Sequence, residues 1–424
     1  MKTKLFIFGL FLIAMLSFQS ESYSQNYGWK TLNSQTNVFV SSVFAISLEK
    51  VIIVGFNGVI KTSSNGGTNW TSQNSGVTSN LHDVFFLNES NGIIIGENGV
   101  ILYTSNGGAT WSPRSSGTFF NLNRIRFIKV GGEVTNSGLI TGSGGVILKT
   151  TDGGNSWFSL NSGSSAILHT PSSPTMQISY AVGYNGVVLK TTNGGSNWFS
   201  QNSGINTGLL LFEVDFVNKD TGIAVAGTVN YTNGYIYKTT NGGTTWVATL
   251  SNYSAGIHSI KYHSSMEVSV VGNNGSIFRS YDGGNTWTVQ TCQSTALLKG
   301  LAFFNPNIGY ATGENGTVVK TMSGGLVSLS PSSSFLPEKF SLKQNYPNPF
   351  NPYTKINFDI KNSTFATLKV YDMTGKEVNS LVNGNIAAGT YEVTFNASEL
   401  NSGVYFYTLK TNEFTETKKM MLVK

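Results

Sequence analysis

The 424-residue chain carries 48 glycines, only 11% charged residues and 12% aromatics, a balance that reads as a turn-rich β protein rather than a helical one. Between residues 25 and 337 it has 15 Lys and Arg against 12 Asp and Glu, so its basic surplus is three charges and lacks the clustered cations of a nucleic-acid surface. A single cysteine, Cys292, excludes an internal disulfide framework, and no cysteine lies near the leader to take a lipid.

From Met1 to Gln25 the chain runs through Lys2 and Lys4, an apolar stretch from Leu5 to Phe18, and small polar residues at Ser22 and Ser24. This pattern predicts a secretory signal peptide over 1–25, too short to cross a bilayer.

A repeat follows. Its turn glycine falls at Gly58, Gly99, Gly145, Gly186, Gly234, Gly275 and Gly316, a spacing of 41 residues stretched once to 46 and once to 48. Each unit holds an apolar strand ending in an aromatic residue, a second short strand, a Gly-x-Asn-Gly turn, a third strand, a Ser/Thr-x-Asp/Asn-Gly-Gly turn and a strand headed by Trp. Four strands in about 40–45 residues describe a propeller blade. In the second turn Asn65, Asn106, Asp152, Asn193, Asn241 and Asp282 can hold the turn's own amides, helped by the hydroxyl two residues earlier.

All the tryptophans occupy one repeat position: Trp29, Trp70, Trp111, Trp157, Trp198, Trp246 and Trp287. Packing between blades accounts for them better than a ligand platform, because every blade has one. Trp29 lacks a preceding glycine turn, whereas the last turn reaches Ser328 where its tryptophan belongs. The N-terminal strand is therefore expected to complete the last blade and leave no unpaired seam. The alternative is that Val327 to Leu329 closes that blade itself.

These turns resemble the Asp-box of bacterial-neuraminidase-type repeats. The longer string from Val182 to Trp198 is more similar to photosystem II assembly and stability factor propellers. The resemblance covers 26–329 and speaks to fold, since the matching residues are the turns that build blades. The expected fold is all-β: a seven-bladed β-propeller over 26–329, a Ser/Pro linker over 330–337, and a small antiparallel β-sandwich over 338–424.

The last module has Tyr346-Pro347-Asn348-Pro349-Phe350-Asn351-Pro352, Val370-Tyr371-Asp372-x-x-Gly375-Lys376, Gly389-x-Tyr391-x-Val393-x-Phe395 and a final Lys419-Met420-x-Leu422-x-Lys424. It resembles the C-terminal sorting domain of the type IX secretion system. The resemblance implies partnership with that machinery and its sortase-like peptidase, passage through the periplasm, and a mature protein released or held at the outer cell surface.

The propeller offers few chemical constellations. Four arginines, two on one strand, do not make the arginine cluster of a sialidase. His82, His169 and His258 share one position at the start of inner strands, where three imidazoles could hold a metal; a polar rim explains them as well, and no metal or cofactor is assigned. Lys149, Lys190, Lys238, Arg279 and Lys320 also share a position, read as a solvated strand face with an anionic-glycan track as the alternative.

Repeat five is enlarged near Asn206 and Thr207 and around Thr228 to Thr232, two connections that open on the same face. Its inner strand carries Glu213 and Asp215 on one side. The candidate ligand rim is thus Asn206, Glu213, Asp215, Asn230 and Tyr231. Paired acids could serve a glycoside hydrolase, but channel-lining acids balanced by Arg124, Arg126 and Lys261 are the simpler reading, and no catalytic residue is assigned. The expected function is a secreted or surface binding module for a glycan or protein, with glycoside hydrolysis or periplasmic assembly as alternatives.

Overall fold

The computed structural model describes residues 28–322, 324, 336–362, 364–386, 388–397 and 400–424. The expected signal peptide, most of the expected linker and the stretch Val327 to Leu329 lie outside them.

Among the described residues the repeat forms seven four-stranded antiparallel sheets. Blade one runs from Val40 to Gln73 and blade six from Ile257 to Val289; each is laid down from its inner strand outward. Each inner strand touches the next, and that of blade seven, Leu298–Asn305, touches that of blade one, Val40–Ala45, which makes a ring. The second strand of each blade is buried on both sides, as in Val51–Gly55 and Gly92–Gly96, so these read as unbroken apolar runs.

The turn to the third strand needs positive φ. Asn57, Asn98, Asn185, Asn274 and Asn315 take φ between 55° and 60°, and the glycine after each is also left-handed. In the following turn Asp152 Oδ1 accepts the Ser156 amide at 3.0 Å and the Thr150 hydroxyl at 2.8 Å, and Thr150 Oγ1 in turn accepts the Gly154 amide at 2.9 Å. Asn65, Asn106, Asn193, Asn241 and Asp282 accept the amide four residues on in the same way.

Burial disfavours charge on Asp152 and Asp282, but hydrogen bonds from Ser156 and Thr286 outweigh it and lower both pKa values. A depressed carboxylate stabilises the fold above its unfolded pKa, and that contribution disappears as pH falls through the folded value. Asp152→Asn should keep stability at pH 7 within about 0.5 kcal/mol of wild type, because asparagine does the same work in four other blades, while removing part of the loss on acidification. Denaturant titration at pH 7 and pH 3 checks both halves.

The tryptophans lie against the preceding blade: Trp70 packs with Tyr310 and Val318, Trp198 with Leu139 and Ile147, and Trp246 with Tyr180 and Val182. Trp111, Trp157 and Trp246 also meet an inner-strand phenylalanine of their own blade edge-on. Trp29 does the same with Phe303 of blade seven, where Lys30–Leu32 pairs with Val318–Thr321 as the outer strand.

The shared basic position is not a solvated face. Lys149, Lys190 and Lys320 donate to the carbonyls of Gly194, Gly242 and Gly66, and Arg279 to that of Gly324, each in the next blade's glycine turn; Lys238 reaches Asn285 there instead. They fasten blade to blade around the ring.

The C-terminal unit is a sandwich of a three-stranded and a four-stranded sheet around Phe358, Phe395, Leu368, Tyr407 and Met420. Its Tyr-Pro-Asn-Pro-Phe motif ties down the last strand: Phe350 is buried, its amide donates to Met421 O, and its carbonyl accepts the Val423 amide.

Candidate functional site

The ring's central channel is lined by the seven inner strands, and one irregularity recurs in all of them. The pairing skips a residue near the start of each: Ser41, His82, Asn123, His169, Phe212, His258 and Lys299 are the extra residues. A bulge re-aims its side chain. Here His82 Nδ1 lies 2.9 Å from Leu122 O and Asn123 Nδ2 donates to Leu168 O at 2.7 Å, each in the next blade, while His169 meets Phe212 edge-on and Phe212 meets His258 at 4.9 Å. The three histidines of one sequence position are members of this collar at one channel mouth.

Aromatic residues from the adjoining connections extend the collar. Tyr184 stacks on His169, Tyr231 stacks on Phe212 at 5.6 Å, and Phe39 stacks on Phe56. Phe120 lies over the Gly144 turn of blade three, and Phe119 beside it is 93% exposed. Tyr231 sits at φ 58°, a left-handed conformation fixed by its carbonyl, which accepts the Gly256 amide at 3.0 Å and Asn273 Nδ2 at 3.2 Å. Asn206 and Asn230 use their side-chain oxygens within their own turns, on the Gly208 amide and the Thr232 hydroxyl.

Below the collar the channel is crossed by charge. Arg126 of blade three donates Nη1 to Asp83 of blade two at 2.8 Å and Nη2 to Glu213 of blade five. Burial, the largest influence on Arg126, opposes its charge, yet Asp83 and Glu213 together hold its pKa above the ordinary value. Glu213 is buried and also accepts from Ser259 Oγ and the Ile260 amide of blade six. Asp215 accepts the Tyr262 amide at 3.0 Å and lies 4.0 Å from Lys261 Nζ. Glu213 and Asp215 therefore sit among basic partners from other blades, although Arg124 is not one of them: it donates to the carbonyls of His82 and Asn123.

The imidazoles at the mouth are kept neutral. Burial pushes His258 down to about 4 and His169 well below its ordinary value, with Lys299 and Arg124 adding to the effect; His82 is lowered less simply, burial being opposed by its bond to Leu122. Among the described residues no group of three or more His, Cys, Asp or Glu is placed to hold a metal ion.

Residues 344–424 match the family described as the secretion system C-terminal sorting domain. The C-terminal unit is a sorting domain. Residues 65–175 and 250–322 match the family described as photosynthesis system II assembly factor YCF48. Among solved structures, YCF48 bound to D1 peptide is 20% identical with a TM-score of 0.57, over 70% of this chain and 96% of that one. YCF48 from Cyanidioschyzon merolae is 20% identical, TM-score 0.54, over 69% and 98%. PorZ, a surface component of the type IX secretion system of Porphyromonas gingivalis, is 14% identical, TM-score 0.52, over 91% of this chain and 59% of PorZ. These identities establish the propeller fold alone. No curated protein matches the sequence. The sorting domain supports export to the cell surface or secretion, and implies contact with the type IX secretion machinery.

Proposed function

We propose that the protein is an exported binding module whose propeller engages a glycan at the collar mouth. In this reading 1–25 is a signal peptide that opens the route through the periplasm, 26–329 is the working propeller, 330–337 is a linker, and 338–424 is the export address read by the type IX machinery and its sortase-like peptidase.

The observation that carries the reading is the group of rings at one mouth: Tyr231, Phe212, His169 and Tyr184 in mutual contact, with Phe119 and Tyr231 open to solvent. Rigid aromatic faces beside hydrogen-bonding edges suit sugar rings. Against hydrolysis stands the fixing of Glu213 by Arg126 and Ser259, which gives a general acid no approach to substrate. A polypeptide ligand is the second reading, favoured by the D1 peptide carried by one structural neighbour.

The full chain should be slowed without clearing the gel in native electrophoresis through bacterial or plant polysaccharides. Phe119→Ala and Tyr231→Ala should each weaken that retardation about fivefold or more. Unhindered migration of the wild type in every gel would overturn the glycan and leave the peptide; clearing would restore hydrolysis by Glu213 and Asp215.

A further inference from the structure

Lys299 is the extra residue of the blade-seven bulge and the one lysine of the collar; burial, with Arg124 adding to it, brings its pKa down to about 8. Its ammonium lies over the Phe39 ring, 5.7 Å away, and the charge of Asp83 acts on it from farther off. Arg124, 4% exposed, lies within electrostatic reach of it, and among the described residues its guanidinium hydrogen-bonds only to two carbonyls. Among the described residues neither cation has a carboxylate within ion-pair distance, although Asp83, Glu213 and Asp215 all pair lower in the channel. Burying charge without a close partner is costly, so a buried guanidinium and a half-buried ammonium at one mouth, neither of them in an ion pair, form a place for an anion.

What surrounds them narrows the anion. Among the described residues the imidazole of His169 has no hydrogen-bond partner, while its carbonyl accepts the Thr141 hydroxyl, and the ring is flanked by Tyr184 and Phe212. His82 and Asn123 complete the same mouth. Neutral imidazoles offer one donor and one acceptor, which suits hydroxyl groups, while further cations would suit a phosphate or sulfate polymer. A cation pair for one carboxylate, neutral nitrogens for hydroxyls and aromatic faces for C–H surfaces match the parts of a uronate ring.

We propose that the collar mouth is a carboxylate site formed by Lys299 and Arg124, and that the glycan it takes is acidic, a uronic-acid polymer. This rests on the glycan-binding reading and specifies its ligand. Lys299 supplies the mobile charge, Arg124 the fixed one, and the His169 edge and Tyr231 face orient the ring.

The test uses the full chain with polygalacturonate, with the same polymer reduced at its carboxyl groups, and with polyglutamate. Lys299→Met keeps the stem over Phe39 and removes the charge; circular dichroism and thermal unfolding verify its fold. Expected is at least tenfold weaker binding of polygalacturonate by Lys299→Met, and equally weak binding of the reduced polymer by wild type. Equal binding of charged and reduced polymers would overturn the carboxylate site while leaving a glycan module. Binding of polyglutamate alone, lost in Lys299→Met, would keep the cation pair but refute the uronate. No binding of any polysaccharide would defeat both readings together.

Discussion

Glu213→Ala should lower folding stability by about 3 kcal/mol. The substitution strips Arg126 of one of its two carboxylates and leaves the Ser259 hydroxyl and the Ile260 amide, both facing a buried site, without their acceptor. The cost stays at the lower end for a broken buried pair because the Arg126 side chain is 31% exposed and still holds Asp83. Denaturant unfolding of the full chain reads it as a shifted midpoint of the propeller transition. Ser259→Ala, which removes one hydrogen bond and no charge, should cost about 1 kcal/mol. A Glu213→Ala protein as stable as wild type would contradict the bridge between blades two, three and five, and would suit a catalytic acid tolerant of removal.

Trp29→Ala should be at least as damaging, about 3–5 kcal/mol, the range for emptying a buried aromatic site. Trp29 is fully buried, meets Phe303 at 5.6 Å and donates Nε1 to Gln290 at 3.0 Å. Its backbone is held too, its amide on Thr291 O and its carbonyl under the Gln293 amide. Deleting residues 28–32 goes further by leaving Val318–Thr321 as an open edge, and such an edge recruits other chains. Light scattering after size exclusion should then show larger species than the wild type forms. A protein of unchanged size and stability would contradict the closing role of Lys30–Leu32.

The blades were legible because their turns are written in residue chemistry. Asn-Gly pairs demand positive φ and recur at fixed offsets, and the tryptophan series, displaced by one unit, already implied that Trp29 belongs to the last blade. The collar was not legible as a whole. Its members are Ser41, His82, Asn123, His169, Phe212, His258 and Lys299, and only the three histidines share a type; a bulge is a backbone event that no single residue announces. Direction was the other missing quantity. Spacing put Lys149, Lys190 and Lys320 on the third strands, but not that their ammonium groups cross to the next blade's glycine carbonyls. Likewise Glu213 and Asp215 were visible as a pair, whereas the reach of Arg126 from blade three to blade five depends on the ring's diameter.

The closing sheet joins Lys30–Leu32 to Val318–Thr321, the first and last strands of the repeat array. During synthesis, the early strand must wait for nearly the whole propeller before its partner exists, so every blade made in between belongs to an open arc. The sorting domain comes later still in the chain. Any molecule that displays its export address has therefore already produced both halves of its clasp, and a truncated, unclosable arc carries no address at all.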